Sequence, residues 1–131
     1  MKYMLDTNIC IYVIKNRPQQ VFDAFRLHQQ AGLGISSITA AELWYGAQKS
    51  GSSKNLRALR QFLSPLEIAA FDAIASEHYG QLRTTLESQG TPIGPLDTQI
   101  AAHALALGVT LVTNNTREFA RVKTLQLESW A

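Results

Sequence analysis

Three acids and one amide sit where their types and surroundings could do chemistry: Asp6 in Leu5-Asp6-Thr7-Asn8, Glu42 in Ala40-Ala41-Glu42-Leu43, Asp97 in Pro95-Leu96-Asp97, and Asn115 in Thr113-Asn114-Asn115. Carboxylates gathered in one place repel one another, and either take up protons or bind a cation. The chain has one cysteine and three histidines, His28, His78 and His103, none at metal-ligand spacing to another. A hard, oxygen-seeking ion such as Mg2+ or Mn2+ is therefore the natural counter-charge. Such an ion can activate a water and brace the oxygens of a phosphodiester, so the chemistry implied is metal-assisted phosphodiester hydrolysis.

Each residue also has a structural alternative. Glu42 follows Thr39 by three positions, and Glu118 follows Asn115 likewise, which is the spacing of a capping box. Asp97 is favourable near any helix N-terminus, and Asp6 could start the helix that follows it. The readings part on one point: independent caps have no reason to share one edge of a sheet, whereas a catalytic group requires it.

The elements that must position these residues are legible as alternating β-like and helical stretches. Strands are expected at 2–5, 33–36, 66–69, 109–113 and around 125–127, the fourth being β-branched, apolar and bounded by Gly108 and Asn114-Asn115. Helices are expected at 8–16, 18–30, 38–49, 52–63, from 72 to Gly90, at 95–107 and at 116–120. Asp72 is a good N-cap, Pro95 suits a first helical position, and Gly108 suits a helix end. Alternation of this kind implies an α/β fold in three layers, a central, mostly parallel sheet of about five short strands flanked by helices. With no linker-like stretch, 1–131 reads as a single domain. In open sheets of this class the crevice lies beyond the carboxyl ends of the strands. Asp6 directly follows the first strand and Asn115 the fourth, while Glu42 and Asp97 fall in the first turns of the helices beginning at 38 and 95.

Composition narrows the class. Apolar residues make up 46% and charged residues 17%, which excludes a disordered or fibrous chain. No apolar stretch reaches bilayer length, and Asp6 comes too early for a signal peptide, so a cytoplasmic protein without membrane contact is expected. Cys10 lies in an apolar run and reads as a buried thiol. The formal charge of +2 permits an anionic partner without demanding one. Lys54, Arg57 and Arg60 repeat every three residues, while Arg117, Arg121 and Lys123 crowd the C-terminal end. Each cluster alone is a solvated face, and becomes a phosphate grip only beside a catalytic site. Trp44 and Tyr45 read as core or interface residues.

Four segments resemble, in order, the acidic motifs of PIN-domain ribonucleases: Met4-Leu5-Asp6-Thr7-Asn8, Ser37-Ile38-Thr39-Ala40-Ala41-Glu42-Leu43, Ile93-Gly94-Pro95-Leu96-Asp97 and Leu111-Val112-Thr113-Asn114-Asn115-Thr116-Arg117-Glu118-Phe119. The stretch from Leu125 to Trp130 resembles the end of the enteric VapC toxins of that family. The resemblance covers essentially the whole chain and implies a Mg2+- or Mn2+-dependent endoribonuclease. It implies Asp6, Glu42 and Asp97 as metal-binding acids, with Thr7 and Thr113 as hydroxyl-bearing neighbours. Asn115 departs from the pattern, since many PIN domains carry Asp there; the number of metals is left open, with Glu118 the substitute at hand. Lys54, Arg57, Arg60 and Arg117 become candidate RNA contacts.

The resemblance further implies a homodimer and a VapB-type antitoxin whose tail lies in an apolar groove beside the site. Operator DNA would be reached only through the antitoxin. The RNA target it implies is a tRNA, the initiator tRNA anticodon stem-loop in the enteric toxins. Two alternatives remain: a housekeeping RNA-processing PIN nuclease, and a non-catalytic α/β binding module whose acids only cap helices. A receiver-like phosphoacceptor would need a second acid beside Asp6 and a late-strand lysine, which the chain does not supply.

Overall fold

The apolar runs settle into one five-stranded sheet in the computed structural model, which describes residues 1–130. The chain order is β1 (Tyr3–Leu5), α1 (Thr7–Lys15), α2 (Gln19–His28), β2 (Leu33–Ser36), α3 (Ser37–Ser50), α4 (Ser53–Leu63), β3 (Glu67–Ala69), α5 (Ala73–Ser88), α6 (Pro95–Leu107), β4 (Thr110–Val112), α7 (Thr116–Phe119) and β5 (Leu127–Glu128). The strands lie in the order β3-β2-β1-β4-β5. Every pairing is parallel, so the sheet is wholly rather than mostly parallel. Tyr3 pairs with Leu33 on one side and with Thr110 on the other, which makes β1 the centre.

Side chains alternate across the pleat and divide the interior into two cores. Leu5, Ile35 and Val112 face a layer formed with α1 to α4, where Ile9, Val13, Val21, Leu43 and Leu59 are buried. Met4 and Leu111 face the other layer, with Leu86 of α5, Ile100, Ala101 and Ala104 of α6, and Phe119 of α7. Covering both faces is what a parallel sheet requires, because its crossovers run over them. Cys10 is fully buried in the first core, and burial pushes its thiol up from the ordinary range. Gly34 lies where β2 meets β3: a Cβ there would stand 2.7 Å from the Glu67 carbonyl oxygen, so the close approach demands glycine.

Local chemistry explains most element ends. Asp72 accepts from the Ala75 N–H at 3.0 Å and starts α5, Pro95 is the first residue of α6, and Gly108 ends α6 with φ 67°. The strands are shorter than the apolar runs suggest, and β5 falls at Leu127–Glu128 rather than around 125–127. The more consequential difference is α3. Ser36 caps it by accepting from the Ile38 N–H at 3.1 Å, so the helix begins at Ser37 and Glu42 lies in its second turn, not its first. Among the described residues, no helix is long and apolar enough to cross a membrane. Because β2 and β3 lie on one side of β1, and β4 and β5 on the other, chain direction across the sheet reverses between β1 and β4. That is the switch point at which an α/β sheet opens a crevice.

Candidate acidic active site

Asp6 and Thr113 are the first residues beyond β1 and β4, side by side at that switch point. The Asp6 N–H donates to the Val112 carbonyl at 3.0 Å. Its Oδ1 accepts from the Ile9 N–H at 2.9 Å, capping α1. The Thr113 hydroxyl also hydrogen-bonds the Asp6 carboxylate. Burial pushes the Asp6 carboxyl up, and the charge of Glu42 adds to this; the bonds from Thr113, Ile9 and Asn8 pull it back. Asp6 is thus a cap and a buried acid at once, since the bond to Ile9 engages Oδ1.

Thr113 is the support beneath it. Its Oγ1 also accepts from the Asn115 N–H at 2.9 Å, and it has no exposed surface. Thr113→Val preserves shape while leaving the Asn115 N–H and one Asp6 bond without a partner. We expect a loss of about 1 to 3 kcal/mol in urea unfolding, together with reduced cleavage. Unchanged stability and cleavage would mean the hydroxyl supports neither group.

Glu42 reaches away from its own helix. Its Oε1 accepts from the Thr7 hydroxyl at 2.8 Å, and Thr7 Oγ1 lies 3.5 Å from that of Thr39. Thr39 is buried inside α3 and does not start the helix, so the capping box expected between Thr39 and Glu42 does not form. The bond tethers the carboxylate to the start of α1, beside Asp6.

Asp97, in the first turn of α6, is half-buried and hydrogen-bonds the Glu118 side chain. Its carboxyl is pushed up to about 7, first by burial, then by the hydrogen bond and charge of Glu118, then by the charges of Asp6 and Glu42. Glu118 is held by the Gly94 N–H at 3.3 Å on Oε1 and by the Asn115 side-chain amide at 2.6 Å on Oε2. Asn115 is exposed and makes no side-chain cap for α7. Glu118 is thus the fourth carboxylate beside Asp97, hydrogen-bonded by Asn115.

A second layer ties the two helices that carry Glu42 and Asp97. His103 of α6 is 1% exposed, and its Nδ1 lies 2.8 Å from Oγ of Ser36, the cap of α3. The ring also hydrogen-bonds the Ala70 carbonyl, and Phe71 meets it edge-on at 5.4 Å. Burial pushes the imidazole down from its ordinary value, which favours the neutral ring between Ser36 and Ala70. The sequence carries no signal for the Ser36 partner, which lies 67 positions away.

The basic candidates surround this centre unequally. Lys54, Arg57 and Arg60 are exposed on α4, but the Arg60 guanidinium lies 5.6 Å over the ring of half-buried Trp44 and is partly engaged there. Tyr45 is 67% exposed. Arg117 is exposed on α7, next to Glu118. From Glu42 and Thr7 a groove of about 300 Å³ runs between α1, α3 and α4, walled by Ile11, Leu43, Ala47 and Leu59.

The donor set suits a hard cation. It is all oxygen, and four carboxylates are near enough for the other three to push the Asp97 carboxyl up, as they would where a counter-charge is lacking. Among the described residues, no three acids, histidines or cysteines are already drawn around one point. Glu42 and Asp97 are instead occupied by Thr7 and Glu118.

Comparison with known proteins adds independent findings. Residues 3–125 match the PIN domain family. An enzyme of Shigella flexneri described as a tRNA(fMet)-specific endonuclease VapC is 48% identical, over 100% of this chain and 99% of its own. The structure of VapBC2 from Rickettsia felis bound to a promoter DNA fragment contains a chain that is 45% identical, covered fully on both sides with a TM-score of 0.91. DNA-bound VapBC from Salmonella typhimurium contains one of 45% identity and TM-score 0.91, covering 100% of this chain and 99% of that one.

Proposed function

The chain belongs to the PIN domain family, and from that premise we propose that it is the toxin endoribonuclease of a VapBC-type pair, cutting a tRNA until its antitoxin binds. The observation that supports this is that the charges of Asp6, Glu42 and Glu118 reach Asp97 and push its carboxyl up, with Asp6 at the end of β1. Helix capping accounts for one oxygen of Asp6 and for none of Glu42. In this reading Asp6 is the fixed anchor, held by Ile9 and Thr113, while Glu42 and Asp97 turn from their present partners to complete the ligand set. Asn115 and the Gly94 N–H hold Glu118 as the reserve acid. PIN-domain nucleases are generally metal-dependent, and here the ion would be Mg2+ or Mn2+. When bound it supplies a Lewis acid and the positive charge that the carboxylates lack.

Initiator tRNA, cut in its anticodon stem-loop, is the target this reading favours, because the Shigella flexneri relative is named for that specificity. A VapB-type antitoxin, with its tail in the groove beside Glu42, is the matching partner, and operator DNA is reached through it. The protein acts in this reading as a single-domain homodimer in the cytoplasm. The test is incubation of the purified chain with initiator and elongator tRNAs, with Mg2+ or Mn2+ and after chelation. Cation-dependent scission of the initiator species is expected. Equal cutting of all tRNAs would reject the specificity, and no cutting of any RNA would reject the nuclease.

A further inference from the structure

A cavity of a different character lies outside the acidic site. A cleft of about 510 Å³ opens between α5, the end of α6 and the segment that follows α7. Arg121 and Lys123 line it, and Gln81 and Thr85 of α5 with Gln89 just beyond its end supply uncharged donors. No carboxylate lines it. Among the described residues, neither Arg121 nor Lys123 is in an ion pair. Two unpaired cations with amides and a hydroxyl in an open cleft match the chemistry of a phosphodiester oxygen.

The cleft adjoins the acidic site through one short segment. The Gly94 N–H donates to Glu118 Oε1 at 3.3 Å, while Arg121 Nη1 donates to the Pro92 carbonyl at 2.8 Å. Arg121 follows Glu118 by one helical turn, its N–H donating to the Glu118 carbonyl at 3.1 Å. Residues 92–94 thus touch the acidic site at one end and the basic cleft at the other. The bond to Pro92 fixes the Arg121 fork and leaves further guanidinium N–H groups for a ligand.

We propose that this cleft binds a backbone phosphate of the RNA strand flanking the one held at the carboxylates, so that Arg121 and Lys123 set the strand's direction across α7. This rests on the nuclease reading above, and deepens it by naming where the substrate continues. The α4 cluster is the weaker grip by comparison, because Arg60 is drawn to Trp44.

The experiment measures tRNA binding against salt in full-length protein made inactive by Asp6→Asn, with and without Arg121→Ala plus Lys123→Ala. Losing two phosphate contacts should lower the slope of log affinity against log salt by about 1.4 to 1.8. Lys54→Ala plus Arg57→Ala should change it by less. Should Arg121→Ala unfold the chain by freeing Pro92, Lys123→Ala alone should still lower the slope by about 0.7 to 0.9. An unchanged slope in a protein whose parent cleaves RNA would overturn the cleft and spare the nuclease reading. A parent that neither binds nor cleaves RNA would overturn both.

Discussion

Asp97→Asn makes the cation-free protein melt higher at pH 8 while ending RNA cleavage. In the unfolded chain this carboxyl titrates near 3.8, and in the folded chain at about 7. Below about pH 4 it is protonated in both states and costs nothing. Between those values the folded state holds the extra proton, so stability falls as pH rises, and above about 7 the whole penalty persists. Asn removes the charge and keeps the shape. Because the group is half-buried, solvent screening reduces the gain to about 1 kcal/mol, or about 3 to 5 °C. The gap between variant and parent should close toward pH 4.

Activity moves the other way. Loss of one fixed charge from such a site costs on the order of 100- to 1,000-fold in kcat. Asp6→Asn should lose as much with little change in melting, since Asn is also a good N-cap and can still accept from the Ile9 N–H. The checks are melting curves from pH 4 to 8 beside cleavage assays. An Asp97 variant that melts lower would mark the carboxylate as a helix-start stabiliser, and one that cleaves at the parent rate would remove it from the site.

A peptide carrying the antitoxin's tail should silence cleavage, and raised Mg2+ or Mn2+ should partly restore it. In the proposed reading, the groove beginning at Thr7 and Glu42 would lead an apolar segment up to the carboxylates. An arginine at the end of that segment would compete with the cation for the same negative field. The cation activation curve should shift right with its plateau unchanged. Replacing the arginine by Ala removes charge-assisted bonds of about 1.5 to 3 kcal/mol, weakening inhibition by about 10- to 100-fold. Tight inhibition wholly insensitive to cation would point instead to exclusion of RNA by bulk.

What could be read beforehand follows physical range. Asp72, Pro95 and Gly108 act on their own neighbours, so the ends of α5 and α6 were legible. Asp6 and Asp97 were legible as site candidates because each directly borders a strand or helix start. The role of Glu42 was blurred because Ser36 and Thr39 both look like caps. Ser36 wins through its bond to the Ile38 N–H, and its hydroxyl is also engaged by a histidine on a distant helix. The pairing of Glu118 with Asp97 was likewise out of reach, since it depends on how α7 docks on the start of α6. Strand order decided the rest: only β1 lying between β2 and β4 turns scattered acids into neighbours.

That central place of β1 also sets the timing of synthesis. Tyr3 waits for Thr110, Asp6 waits for Thr113, and Asp97 waits for the α7 residue Glu118. A chain growing from its N-terminus can pair β1 with β2 early, but its acids stay scattered until β4 and α7 have left the ribosome. A message cut short before β4 yields a chain that carries Asp6, Glu42 and even Asp97, yet has no nuclease to neutralise.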